Sequence, residues 1–448
     1  MLTNKEKKIY ILFIVQLIML FFLPAIGKAP LATAPGTMDK IYQIIMYTVY
    51  ALLSITVVMI FISLRNIENK SYIWWIVAFF VICAIGMIWG VIRGQVLADV
   101  IRGFLPFVWY LYIVIVVQLF KEKIDNIVTI VAMVAFAYAV RIIMYYMIYC
   151  VGNPNMRVTY YFAKATSFMP IVGAIIFTYF FLGERVKSFI ALGAMSTCYL
   201  SVILVNARAS LLATVIGMSA ILIMTIWNLA ISKRETVKEK RKIWKRIIII
   251  ILLLCISLLV FSRSSLSQRW NSVSGYLKTE DTRNVGDELS SDEESKDEES
   301  KDENIEARFV EYKVAYENWK ESPILGQGIG FRWSTDKIDY GGPVIYMHNV
   351  VAYILMDFGI LGILYLAICL FNLCRMIFLV LKMRSIEIKE KLPFLFFVAG
   401  IGAAFIYANF TAIFRNMEFT FIMTILISGV LIEYHNLKQI QKSNGDKK

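Results

Sequence analysis

Three arginines and a histidine carry the chemistry this sequence offers. His348 stands before Asn349 and an apolar run, Arg208 lies in VNARASLLA, Arg141 interrupts AYAVRIIMYY, and Arg308 precedes Tyr312 by one helical turn. Guanidinium binds phosphate through paired N–H donors and stays charged at any relevant pH. Several of them around one membrane-surface cavity suit a diphosphate anion. A neutral imidazole nearby can act as a general base at neutral pH. Each residue also has a plainer reading. His348 fits an interfacial histidine, Arg208 a snorkelling helix-end arginine, Arg141 half of a structural ion pair, and Arg308 one of many surface-helix arginines. Arginine close to hydrocarbon costs several kcal/mol unless paired or wet, which makes Arg208 and Arg141 functional candidates by default. The other histidine, His435, follows the last apolar run.

Familiar alternatives are missing. The sequence holds no G-x-x-x-x-G-K-[ST], no H-E-x-x-H, no G-x-S-x-G and no D-x-D pair. GQGIGF is glycine-rich but follows a helical pattern rather than a strand, against a dinucleotide site. The expected chemistry therefore needs no cofactor, metal or nucleotide. Net charge is +13, but the basic residues lie between apolar runs, where they orient the chain, and nucleic acid is not an expected partner. Six cysteines fall in or beside apolar segments, so no disulfide framework is expected.

The elements that must position these residues are membrane helices. Of 448 residues, 59% are hydrophobic and 18% charged, against roughly 25% charged in soluble domains. Apolar runs near 9–26, 41–64, 72–90, 104–120, 126–150, 167–183, 188–205, 210–231, 246–262, 358–381, 392–412 and 417–434 predict an all-α polytopic membrane protein of about 12 transmembrane helices. The first run is too long for a signal h-region and reads as a span. Lys and Arg in alternate connections number 25 against eight, which predicts that both termini are cytoplasmic. Residues 1–262 then hold helices 1–9, 263–347 form an extracytoplasmic loop between helices 9 and 10, and 348–448 hold helices 10–12 and a cytoplasmic tail.

That loop has three parts. SRSSLSQRW leaves the ninth span. An acidic insert at about 280–306, with SDEESKDEESKDE, has almost no apolar residues and is expected to be disordered. From about 306 to 321, Phe309, Tyr312, Tyr316 and Trp319 recur at three- and four-residue steps, predicting an amphipathic helix against the membrane face or the bundle. Pro323 and glycines 326, 328 and 330 end it.

Taken together, these features resemble the O-antigen ligase and polymerase superfamily of bacterial surface-polysaccharide glycosyltransferases. The resemblance rests on the twelve runs, the loop, NARASLLA, RFVEY…WKESPILGQGIGF and MHNVVAYILMDFGILG. It is motif-dense over roughly 200–365 and topological elsewhere. It implies a multi-pass protein of the bacterial cytoplasmic membrane that transfers or polymerises glycan from an undecaprenyl-diphosphate-linked oligosaccharide donor to a glycan or lipid acceptor, without metal or ATP. Arg208 and Arg308 then resemble the arginines that engage the donor diphosphate, His348 the base that activates the acceptor hydroxyl, and Asn349 a residue shaping the His348 turn. Arg141 joins them as a candidate substrate-binding residue. Two features depart from the pattern: Asp357 stands where Glu is expected, and the acidic insert is no family feature. Polymerase and ligase differ only in acceptor, and a Lys/Ile-rich composition leans toward polymerase. A transporter or flippase of the same lipid is the alternative, although no repeated halves are evident.

Overall fold

The computed structural model describes residues 3–22, 37–62, 64, 72–151, 158, 167–205, 207–232, 234–262, 303–336 and 342–445. Peptide groups in hydrocarbon must pair within their own segment, so the apolar runs close as helices. In chain order these are α1 (Asn4–Phe22), α2 (Thr37–Ile62), α3 (Ile73–Ile92), α4 (Leu97–Phe104), α5 (Tyr112–Leu119), α6 (Ile124–Tyr149), α7 (Met169–Gly183) and α8 (Ser188–Val205). They continue as α9 (Arg208–Ile231), α10 (Val237–Ser262), α11 (Glu303–Glu321), α12 (Val350–Lys382), α13 (Ile388–Ala408) and α14 (Met417–Gly445). A 3₁₀ segment, Leu105–Leu111, joins α4 to α5. No strand occurs among the described residues, only one bridge pairing Trp333 with Val344.

Eight of these stretches are long and apolar enough to cross a membrane: α3, Leu97–Leu119, Lys121–Tyr149, α8, α9, α12, α13 and Met417–Asn444. The runs at 9–26, 41–64, 167–183 and 246–262 also fall on helices, α1, α2, α7 and α10. α7 has 15 residues, about 22 Å of helix against a hydrocarbon core of ~30 Å, while α10 opens on a basic turn. SRSSLSQRW and most of the acidic insert lie outside the described residues. The insert's last residues, however, belong to α11, which begins at Glu303.

The surface is what a bilayer requires. Mid-helix Ile88 is 63% and Phe371 69% exposed, positions that water would penalise and lipid does not. The centre is α7, buried from Met169 through Leu182, as expected of a helix apolar on all sides. It packs among α6, α8, α9 and α13, and α9 runs along α13.

A charged staple closes one end of this centre. Glu184, at the left-handed C-cap of α7, pairs with Lys242 and with Arg246, the latter at 2.5 Å. Buried Arg246 also donates to the Leu182 carbonyl and the Ser188 hydroxyl, both at 3.2 Å, so the α7–α8 turn is tied to α10. The hydrogen bond from Lys242, ahead of the burial that opposes it, holds the Glu184 carboxyl below its ordinary value of 4.5. A carboxyl depressed by folding stabilises the fold above its unfolded pKa and loses that contribution as pH falls through the folded one. Melting temperature should therefore hold from neutral pH to about 4.5 and decline below it, by a contribution of about 1 kcal/mol or less for a partly exposed pair. Glu184→Gln should flatten that limb, as measured by thermal unfolding across pH.

Candidate functional site

The site is built on a break in α12. Gly359 has φ 59 and ψ −151, dividing a first helical segment that follows Asn349 from the long segment that follows. A helix break leaves amides and carbonyls unpaired, and here the loop after α11 pairs them. Gln327 N–H donates to the Met356 carbonyl at 2.7 Å and Gly328 N–H to Asp357 at 3.1 Å. Across the break, Ile360 N–H donates to Pro323 at 2.9 Å and Leu361 N–H to Ile324 at 3.2 Å.

The same loop is pressed onto α3, where Ile329 N–H reaches the Gly86 carbonyl at 3.0 Å and Trp89 Nε1 donates to Gly326 O at 2.9 Å. Contact this close needs residues without Cβ. At Gly328, with φ +86, a Cβ would lie 2.4 Å from Gly90 N, and at Gly359 one would lie 2.6 Å from Gly326 N. Arg332 adds a 2.7 Å bond to buried Asp99 of α4. The glycine run thus does more than end a helix. It fixes α11 against the start of α12.

That fixing brings α11 to His348. Glu311, fully buried, accepts from the His348 backbone N–H at 2.7 Å through Oε2. Its Oε1 lies 2.6 Å from His348 Nδ1 and 3.3 Å from Arg308 Nη1. A carboxylate only accepts, so Nδ1 carries the proton and Nε2 is left with the lone pair. Asn349 caps α12, its Oδ1 accepting from Ala352 N–H at 2.8 Å. Its Nδ2 donates to Asn409 O at 3.1 Å and Oδ1 at 2.9 Å, and meets the Tyr312 hydroxyl. Burial, and after it the Glu311 charge, pushes the Tyr312 hydroxyl above its ordinary range, so it stays protonated.

His348 and Arg308 therefore meet around one carboxylate, and Asn349, next to His348 in the chain, is bonded to Tyr312 on the same helix as Glu311. Arg208 joins them less directly. It opens α9, and Ser210, two residues on, shares a 3.4 Å contact with Tyr407, two residues before the Asn409 that holds Asn349. Arg141 faces Tyr145, with Nη2 3.4 Å from its hydroxyl. No metal-binding group of His, Cys, Asp or Glu occurs among the described residues.

With this geometry in view, the comparison with known families is decisive for one part of the chain. Residues 193–367 match the O-antigen ligase family. No curated protein matches the chain. The O-antigen ligase match supports membership of the ligase and polymerase superfamily, and with the apolar helices it supports a multi-pass membrane protein of the glycosyltransferase kind in polysaccharide biosynthesis. The matched O-antigen ligase segment runs from α8 into α12 and contains Arg208, Arg308, Glu311, His348 and Asn349, whereas Arg141 lies outside it.

Sequence reasoning missed Glu311. The aromatic spacing of α11 predicts a helix against the membrane face or the bundle; Phe309, Tyr312 and Tyr316 are 45–49% exposed, and Glu311 and Ala315 are the residues this helix buries beside them. The available signal was Arg308-x-x-Glu311, an opposite-charge pair on one helix face beside the aromatics.

Proposed function

We propose that this protein is a membrane glycosyltransferase that moves an undecaprenyl-diphosphate-linked glycan to an acceptor hydroxyl on the outer face of the bacterial cytoplasmic membrane, with both termini cytoplasmic. His348 Nε2 takes the proton from the acceptor hydroxyl as its oxygen bonds to the anomeric carbon. The bond from that carbon to the diphosphate breaks, and the diphosphate leaves with the electron pair. Arg208 and Arg308, with Arg141 further along the bundle, offset its negative charge, the role fixed cationic donors play at a developing anion. Attack opposite the leaving group inverts the anomeric centre. Glu311 is a positioning residue that sets the His348 tautomer, and Asn349 holds the turn.

The observation that carries this reading is the buried Glu311 on His348 Nδ1, because it aims a proton-accepting Nε2 away from the protein's own carboxylate. A cavity of about 1140 Å³ supports it, starting beneath the first turn of α12 and lined by Val350, Tyr353, Phe358, Phe79, Tyr365 and Met423 among others. An apolar cavity beside a polar corner suits a lipid carrier whose tail lies in one and whose diphosphate lies in the other.

The test is reconstitution in vesicles with lipid-linked repeat units and no nucleotide. A ladder of longer glycans, or transfer to an added acceptor, supports the transferase and names its acceptor class. Movement of the lipid across the bilayer with no new glycosidic bond would replace it with transport.

A further inference from the structure

Helix α11 is inverted relative to an ordinary surface helix. It buries a carboxylate, Glu311, and leaves Phe309, Tyr312 and Tyr316 exposed along one side. Those three rings span eight residues of helix, about 10 Å. They are also preorganised. Tyr312 is tied to Asn349, beside His348. The Tyr316 ring sits between Lys320 Nζ, 4.3 Å from its centroid, and Trp319, with centroids 5.6 Å apart. Trp319 is itself braced by a 2.9 Å bond from Nε1 to the Pro323 carbonyl. Nearer the base, the Tyr346 ring stands edge-on to His348 with centroids 5.5 Å apart.

We infer that this aromatic face of α11 is the stacking platform for sugar rings of the acceptor glycan. The inference rests on the transferase reading above. A pyranose presents a face of weakly positive C–H groups, complementary to the negative face of an aromatic ring, while its hydroxyls seek charged neighbours. The α11 face offers both: Lys313, Glu317 and Lys320 lie exposed among the rings. The acceptor is the occupant because the rings begin beside His348, the base that would take the acceptor's proton, with Tyr312 tied to Asn349.

The experiment uses the full chain in vesicles, with oligosaccharide released from the cell's own surface polysaccharide as the acceptor probe. Tyr316→Ala should raise the acceptor KM about five- to tenfold while lowering kcat less than twofold, and Tyr316→Phe should retain most of the affinity. Saturation transfer from protein to the oligosaccharide, observed by NMR, should weaken in Tyr316→Ala and persist in Tyr316→Phe. An unchanged KM with unchanged saturation transfer overturns the platform. So does an unchanged KM with a melting temperature lowered in vesicles but not in detergent, which would assign the face to the bilayer. If the wild type forms no glycosidic bond yet oligosaccharide binding is lost in Tyr316→Ala, the transferase reading falls and the platform stands.

Discussion

His348→Ala is expected to slow glycan transfer by about 10²–10⁴-fold, the usual contribution of a positioned general base. Diphosphate is already a good leaving group once its charge is held, so the loss should appear in kcat with donor affinity largely kept. Glu311→Gln is the more discriminating partner experiment. Its amide can donate to Nδ1 where the carboxylate could only accept, and so selects the opposite tautomer, placing the proton on Nε2. Transfer should fall by roughly 10²-fold or more, and Glu311→Asp should recover part of it. The chain has only two histidines, so imidazole ¹⁵N shifts can be assigned and the tautomer read directly. A Glu311→Gln protein with an unaltered His348 tautomer and undiminished transfer would falsify the positioning role.

Gly328→Ala is expected to cost about 3 kcal/mol or more. Its Cβ would lie 2.4 Å from Gly90 N at a φ of +86, a left-handed backbone against a neighbouring backbone that cannot yield. Gly94 supplies the control. Its φ is +83, nearly the same, but a Cβ there meets nothing within 4 Å. Gly94→Ala therefore bears only conformational strain, about 1 kcal/mol. Melting of detergent-solubilised protein should separate the two variants, with Gly328→Ala also losing transfer because α11 no longer holds Glu311 against His348. Equal melting temperatures would mean that the loop does not pack on α3 in this way.

The helices were legible because apolar runs leave a backbone in lipid no other choice, and each predicted run falls on a helix. Asn349 was legible as a turn residue because a short polar side chain before an apolar run caps the helix that follows. The partnership between Glu311 and His348 was not legible. They lie 37 residues apart, and their meeting depends on a loop whose backbone pairs with a break in another helix. Gly86 and Gly90, four apart in an apolar helix, were a usable sign of close packing. Gly86 meets the Phe358 ring of α12 as well as Ile329 of the loop, and Gly90 meets the loop, so the spacing marks close packing without naming the loop. Aromatic periodicity marks one face of α11 without saying which medium that face meets.

The joint between the glycine loop and broken α12 is made largely of main-chain hydrogen bonds, which are indifferent to side-chain identity wherever glycine is not required. The exposed side chains of Lys313, Tyr316 and Glu317 on α11 make none of those bonds, whereas Tyr312 is tied to Asn349 and Glu321 to Gln327. The first three can therefore be exchanged without disturbing the scaffold that holds Glu311, Arg308 and His348. Such an arrangement separates what must be kept from what is free to drift, and lets the outer face of α11 change while the glycine joint stays fixed.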